Sequence, residues 1–139
     1  MNVKVFIDSN IWIYFFIDDG GLKSKAACKF IIENIKNNSV IISYQVINEI
    51  CNVLKRNKYS EPEIRRIADD IIGLCEIFDY SVEAIILASN LRERYSFSFW
   101  DSQIIASALL SGCGVLASED MQDGFIIENL KIINIFESN

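Results

Sequence analysis

The sequence predicts an α/β fold: a single domain over residues 1–139, with a mainly parallel sheet of about five strands and helices on both faces. Short apolar segments alternate with longer amphipathic segments along the chain, which is the pattern of strands connected by helices. Hydrophobic residues make up 51% of the 139 positions, which is enough for one ample core. The chain has one Pro and no low-complexity tract, so we expect neither a linker nor a second domain.

The first half of the chain predicts two strands, each followed by a helix. Residues 3–7, "VKVFI", form a short apolar run that predicts a buried strand. A turn at residues 18–21 precedes residues 23–36, where apolar side chains recur at helical spacing. The second predicted strand is "SVIIS" at residues 39–43, and residues 44–55 predict another amphipathic helix.

The segment "SEPE" marks the start of the next helix. Ser60 is predicted to cap it, Pro62 lies in its first turn, and Glu63 completes a capping box. We expect this helix to run to about Gly73, followed by a third strand in "CEIFDY" at residues 75–80.

The last third of the chain predicts two helices and two strands. Ser81 is predicted to cap a helix that runs to about Arg94, and "SFSFWDSQIIASALL" predicts a helix that ends at Gly112. The segments "GVLAS" and "KIINIF", residues 114–118 and 131–136, predict the final strands.

Composition excludes several kinds of chemistry. The chain has no histidine, which removes histidine acid–base catalysis, Ser-His and Cys-His pairs, and imidazole metal ligands. No C-x-x-C pair is present, so we interpret the cysteines as reduced core residues: Cys28, Cys51, Cys75 and Cys113. The net charge of −6 argues mildly against a nucleic-acid partner, although basic residues gather between positions 55 and 94. With no secretory segment and no apolar run of ~20 residues, we expect a cytoplasmic protein without membrane contact.

Two acids follow predicted strands. Asp8 comes directly after the first strand, and Asp120 comes two residues after "GVLAS". In parallel sheets, ligands bind just beyond the carboxyl ends of the strands. Glu49 lies beside the apolar stripe of its helix, at the predicted boundary between core and cleft, and Asp101 shares a helix face with apolar residues and is expected to point inward.

Each acid also has a structural interpretation. Asp8 fits an Asx turn, Asp101 fits a capping box begun by Ser98, Asp120 fits a helix cap, and Glu49 fits ordinary helix surface. If the acids instead converge, two carboxylates about 4 Å apart repel by about 4 kcal/mol at an effective dielectric constant of ~20. Such a group shares protons or binds a cation. With oxygen ligands and no histidine, Mg²⁺ or Mn²⁺ fits best.

Four segments in order resemble the successive motifs of PIN-domain ribonucleases, and most closely the VapC toxins of toxin–antitoxin pairs. They are "FIDSNIWIYFF", "SYQVINEICNVL", "SFWDSQIIASAL" and "LASEDMQDG", and together they cover nearly the whole chain. The resemblance identifies a catalytic and metal-binding acidic quartet: Asp8, Glu49, Asp101 and Asp120. It also matches supporting residues around the quartet, where Ser118 bonds to the site, Asn10 and Asn48 position water or metal, and Ser9 belongs to the polar pair after the first acid.

The resemblance further implies a fold, a reaction and partners. The fold is a three-layer sandwich that binds one or two Mg²⁺ or Mn²⁺ ions. Metal-activated water attacks an RNA phosphodiester and leaves 5′-phosphate and 3′-hydroxyl ends. Such toxins form homodimers and are held inactive by a cognate antitoxin protein. Residues 12–17 are expected to supply apolar surface for a partner or, at alternate positions, to pack in the core.

Two other functions compete with the nuclease. One is a non-catalytic PIN-like module that binds RNA or protein. The other is a phosphatase similar to the haloacid dehalogenases, whose motif needs a second acid two positions after the first, where this sequence has Asn10. A receiver domain needs a late lysine after a strand, and the only late lysine, Lys131, opens the last strand instead.

Overall fold

Strands and helices alternate along the chain as predicted, in a computed structural model that describes residues 2–137. The strands within this range are β1 (Lys4–Ile7), β2 (Ser39–Ser43), β3 (Glu76–Phe78), β4 (Val115–Ala117), β5 (Ile126–Ile127) and β6 (Leu130–Ile133). The helices are α1 (Ser9–Phe16), α2 (Leu22–Asn37), α3 (Tyr44–Arg56), α4 (Glu61–Leu74), α5 (Val82–Arg94) and α6 (Phe99–Leu110).

The strands form one sheet in the order β3-β2-β1-β4-β6-β5. All neighbours are parallel except β5, which pairs antiparallel with β6. The predicted count of about five strands is one too low, because β5 has only two residues and is too short to show an alternating pattern. The mainly parallel α/β fold is confirmed.

Helices cover both faces of the sheet. The connections from β1 to β2 and from β2 to β3 run in one direction across the sheet, and the connection from β3 to β4 returns in the other. Because parallel crossovers are right-handed, the first two connections place α1–α4 on one face, and the return places α5 and α6 on the other. Contacts agree with this division, since α1 packs on α2 and α3, while α5 packs on α6.

The helix starts agree with the predicted caps. Ser60 and Glu63 form the expected capping box at the start of α4. Ser81 caps α5, and the Ser98 hydroxyl caps α6 by accepting a hydrogen bond from the Asp101 backbone N–H at 3.2 Å. These side chains occupy backbone donors that the first helical turn cannot pair internally, so each helix begins at a defined residue.

Helix α1 has no counterpart among the predicted helices. Its sequence, "SNIWIYFF", is apolar nearly all round after the first two residues, so it lacks the polar face that reveals a surface helix. Trp12 is fully buried and its Nε1–H donates to the Ile7 carbonyl at 3.2 Å. The following residues, 13–17, are half-buried against the core, so the predicted alternation of core and surface is wrong for this run.

The cysteines are free thiols, as predicted, and Cys113 is buried while the other three are half-buried. Burial raises the pKa of Cys75 to about 12 and that of Cys113 to about 11, which keeps both thiols neutral. Among the described residues, no helix combines the length and apolar character needed to cross a bilayer.

Candidate active site

The site lies where β1 and β4 end side by side. Register pairs Ile7 with Ala117, and the Asp8 backbone N–H donates to the Ala117 carbonyl at 2.9 Å. The next residue on β4 is Ser118, so this register places Asp8 and Ser118 next to each other. From β1 the chain proceeds to β2 on one side, while β4 on the other side is reached by the opposite helix layer. Such a topological switch point is where open α/β sheets form ligand sites.

Asp8 is a buried carboxylate, with 7% of its surface exposed. One oxygen, Oδ1, accepts the Ser9 backbone N–H at 2.8 Å, and the other, Oδ2, accepts the Ser118 hydroxyl at 2.8 Å. Burial raises the pKa of Asp8 to about 6, although both hydrogen bonds oppose the shift; the charges of Glu49 and Asp101 raise it further. Asp8 therefore caps α1, as its turn interpretation suggested. It is also repelled electrostatically by Glu49 and Asp101, two other members of the quartet.

Asp120 is exposed and is held from two directions. Its backbone N–H donates to the Ser118 hydroxyl oxygen at 3.3 Å, and the Asn10 amide donates to its Oδ2 at 3.0 Å. No helix starts at this position, so the helix-cap interpretation of Asp120 is wrong. Asn10 donates a hydrogen bond to a carboxylate. The dehalogenase-like phosphatases have an acid at this position, and an ionised acid could not donate such a bond.

Glu49 is exposed on α3, further out than the predicted boundary between core and cleft. The Ser9 hydroxyl donates to Glu49 Oε2 at 3.3 Å, which links α3 to the residue after Asp8. The neighbouring Asn48 is also exposed, and its side chain makes no hydrogen bond to the quartet among residues 2–137. The structure therefore joins Glu49 to the site and leaves Asn48 outside it.

Asp101 lies half-buried in the first turn of α6. Burial raises its pKa, the hydrogen bond with Ser98 lowers it, and the charge of Asp120 raises it. The predicted cap and the predicted inward orientation thus both apply to this residue. Asp101 interacts electrostatically with Asp120 on one side and with Asp8 on the other.

The contacts form what we call the carboxylate network: Asp8, Ser9, Asn10, Glu49, Ser118 and Asp120, linked by hydrogen bonds, with Asp101 coupled to it by charge. Within residues 2–137, no three Asp, Glu, Cys or His side chains lie close enough together to form a preformed metal cage. The quartet is therefore an open arrangement along the sheet edge. An ion held here would keep part of its water shell.

Two grooves flank the quartet. One, of about 370 Å³, is lined by Asp101, Asp120 and the aromatic side chains Tyr95, Phe97 and Phe125. The other, of about 230 Å³, is lined by Gln45, Glu49 and Trp100. Three of the four acids therefore line open space, Asp101 and Asp120 in the first groove and Glu49 in the second.

Sequence analysis missed a group of residues that fixes the segment after β4. Glu119 forms an ion pair with Lys23 and accepts the Tyr14 hydroxyl at 2.9 Å. The Lys23 ammonium also lies 5.5 Å from the centres of the Tyr14 and Phe136 rings. Glu119 is therefore occupied by α1 and α2 and anchors its neighbour Asp120. Only the extra acid in "SED" hinted at this role, because its partners are about a hundred residues away in the chain.

Asp123 has a structural role in a turn. Its Oδ1 accepts the Asn134 backbone N–H at 2.8 Å, and Gly124 follows with a φ of +82°. A positive φ at this position favours glycine, which explains the Asp-Gly pair.

The PIN domain family model matches residues 5–123, a range that includes all of β1 except its first residue, all four acids and the segment after β4. The chain belongs to the PIN domain family. No curated protein matches the sequence of this PIN domain.

Solved structures with the same fold come from toxin–antitoxin systems. A toxin–antitoxin complex from Klebsiella pneumoniae superposes with a TM-score of 0.74 at 19% identity, covering 96% of this PIN domain and 99% of that chain. VapBC2 from Rickettsia felis, bound to a DNA fragment from its promoter, gives 0.66 at 21% identity, with coverages of 93% and 96%. Mycobacterium tuberculosis VapC20, a toxin that cleaves the sarcin–ricin loop, gives 0.65 at 17% identity, with coverages of 81% and 86%. These likenesses establish the shared fold.

Proposed function

We propose that this PIN domain is a metal-dependent endoribonuclease and the toxin component of a toxin–antitoxin pair. The single observation that carries the proposal is the buried Asp8 carboxylate, bonded to Ser118 and repelled by Glu49 and Asp101. Capping α1 needs only a side-chain oxygen, which Asn or Ser would also supply, so the cap does not explain a buried acid whose ionised form is destabilised. Such groups concentrate at functional sites.

The donor set fits a hard divalent cation. Burial and the charges of two other acids raise the pKa of Asp8, and two hydrogen bonds lower it. No cation among the described residues adds to the lowering. All candidate ligands are oxygens, which suits Mg²⁺ or Mn²⁺. Mg²⁺ keeps several waters and is commonly held by one or two carboxylates, which agrees with an open quartet that forms no closed cage within residues 2–137.

In this proposal the members of the acidic quartet hold the ion: Asp8, Glu49, Asp101 and Asp120. When bound, a divalent ion supplies the missing counter-charge, promotes ionisation of water and stabilises charge on a phosphate. The protein contributes orientation. Ser118 fixes one Asp8 oxygen, Ser9 fixes Glu49, and Asn10 fixes Asp120. Hydrolysis on this plan leaves 5′-phosphate and 3′-hydroxyl ends.

We also propose the biological setting. The fold is shared with proteins from toxin–antitoxin systems, one of them bound to a DNA fragment from its promoter, which supports a cognate antitoxin as partner. We propose that the whole chain, residues 1–139, is one PIN domain that forms a homodimer and acts on RNA in the cytoplasm.

Cleavage of RNA with and without Mn²⁺ tests the proposal. Purified protein incubated with transfer and ribosomal RNA should cut only when metal is present, and sequencing of the ends should give 5′-phosphates. Asp8→Asn and Asp101→Asn should each lower the rate by about 100-fold or more, the scale of losing one electrostatic element of an active site. Asp69→Asn, which changes an exposed acid on α4, is the matched control and should cut normally.

Two results would contradict the assignment. Equal cleavage by Asp8→Asn, Asp101→Asn and the parent would mean that other residues do the chemistry. Metal-dependent RNA binding without any cleavage would instead support the non-catalytic PIN-like module.

A further inference from the structure

Trp100 is an exposed indole in the first turn of α6, next to Asp101. It exposes 62% of its surface, whereas the other tryptophan, Trp12, is completely buried. The core therefore does not account for the presence of a tryptophan at position 100. Large exposed aromatic side chains beside a site usually contact a ligand or partner.

The Trp100 ring is held by its neighbours. Phe99 packs against it edge to face, with ring centres 5.2 Å apart. The Arg92 guanidinium covers Phe99 at 4.6 Å from the ring centre, and Arg92 Nη1 donates to the Ser102 hydroxyl at 2.7 Å. These contacts connect α5 to α6 and pack the Phe99 ring against Trp100, so a ligand that stacks on Trp100 meets an indole that already has a packing partner.

A polar group lies in the same groove. Gln45 lines the 230 Å³ space together with Trp100 and Glu49. The Gln45 side-chain oxygen is buried and has no hydrogen-bond partner among residues 2–137. A buried acceptor without a partner is unfavourable, and a donor from a bound molecule relieves it. The oxygen is buried, so the amide must turn toward the groove to meet such a donor, and no internal bond holds this oxygen in place.

We propose that Trp100 and Gln45 form a subsite for one unpaired nucleobase of the RNA substrate. A nucleobase offers a flat face for the indole and N–H donors at its edge for the amide. An aliphatic side chain of a protein partner offers neither. Glu49 borders the groove, so the stacked base belongs to a nucleotide beside the phosphate that is cut. The inference rests on the proposed function for its substrate, and it predicts a preference for single-stranded or looped RNA, whose bases are free to stack.

Tryptophan fluorescence measures this directly, because Trp100 is the exposed one of only two indoles. A single-stranded hexa-adenylate is titrated into the full chain in EDTA, which prevents metal-dependent cleavage. We expect saturable quenching by the single strand and little by a GC-rich RNA hairpin of similar size with a short closed loop, whose paired bases are not free to stack. Variants without this indole need a second readout, the fluorescence anisotropy of a fluorescein-labelled hexamer. In that measurement Trp100→Ala should weaken binding by about 5- to 150-fold, and Trp100→Phe should recover part of it. Leu22→Ala, at an exposed apolar residue on α2, is the control and should bind like the parent.

The outcomes separate this subsite from the nuclease proposal. Weaker binding of the labelled hexamer by Trp100→Ala supports the subsite even if the parent never cuts RNA, in which case the proposed function fails alone. Normal affinity of Trp100→Ala for the hexamer, while the parent cuts RNA in Mn²⁺, overturns the subsite alone. Sedimentation checks the oligomeric state of Trp100→Ala. If that state differs from the parent's, and the binding defect is absent when the two proteins are compared in the same state, the subsite is also overturned, since Trp100 would then contact a second copy.

Discussion

The buried carboxylate of Asp8 makes the stability of the metal-free protein depend on pH. Its pKa in the folded chain is about 6, against an ordinary value of 3.8. The folded state thus holds this proton more tightly than the unfolded chain does. Its contribution is fully present below pH 4 and is lost as the pH rises through 6. The difference between these two pKa values corresponds to about 3 kcal/mol in the free energy of unfolding.

Urea unfolding in EDTA between pH 4 and pH 7 checks this sign. Exposed acids with lowered pKa values, such as Asp19 and Glu63, act in the opposite direction, so the informative quantity is the difference between the parent and Asp8→Asn. We expect this difference to move by about 3 kcal/mol in favour of the variant as the pH rises. If the free energy of unfolding depends on pH in the same way for both proteins, the pKa of Asp8 is not raised in the folded state.

At the residue scale, the sequence predicted the places of the acids in the fold better than the contacts that hold them. Asp8 and Asp120 were recognisable because each follows a strand, and the hydrogen bond predicted for Ser118 is present. The contact between Ser9 and Glu49 joins residues 40 apart, so nothing local signals it. The unpaired oxygen of Gln45 is equally invisible in a sequence, because it results from packing rather than from residue type.

Among the elements, the first turn of α6 combines a helix cap with residues of the proposed site. It presents both Trp100 and Asp101, and the Ser98 cap fixes it. Ser98→Ala and Ser81→Ala remove equivalent N-caps, from α6 and from α5, and each should cost about 1 kcal/mol in the free energy of unfolding. Only the change in α6 should also weaken Mn²⁺ binding, because only that turn carries a member of the quartet.

Thermal unfolding and Mn²⁺ titration of the two cap variants test this difference. Equal losses of metal affinity in both variants would point to a general loosening of the fold. Equal stabilities with normal metal binding in Ser98→Ala would show that the cap does not position Asp101.

The elements that sequence predicted well have a local cause, and those it missed do not. Helix α4 was predictable because Ser60 and Glu63 lie within one turn and cap each other. Helix α1 was not, because a helix that packs on nearly all sides has no polar face to set its period. The edge strand β5 exists only through its pairing with β6, which follows it after a two-residue turn.

For the whole molecule, the order of the strands explains why one site forms. The reversal of direction after β3 brings the ends of β1 and β4 together and places α3 and α6 on opposite sides of that edge. Residues far apart in the sequence therefore meet at one place. A net charge of −6 is compatible with an RNA substrate only if charge is compensated locally. A divalent ion in the acidic quartet would provide that compensation.

The most direct test of this account is a Mn²⁺ titration of the full chain, in which isothermal titration calorimetry measures the affinity. The parent should bind Mn²⁺, and each single change of a quartet member should weaken binding by about 10-fold or more: Asp8→Asn, Glu49→Gln, Asp101→Asn and Asp120→Asn. Asp69→Asn should bind like the parent. If the parent takes up no Mn²⁺, or if all four variants bind it as tightly as the parent, the four acids do not form a metal site.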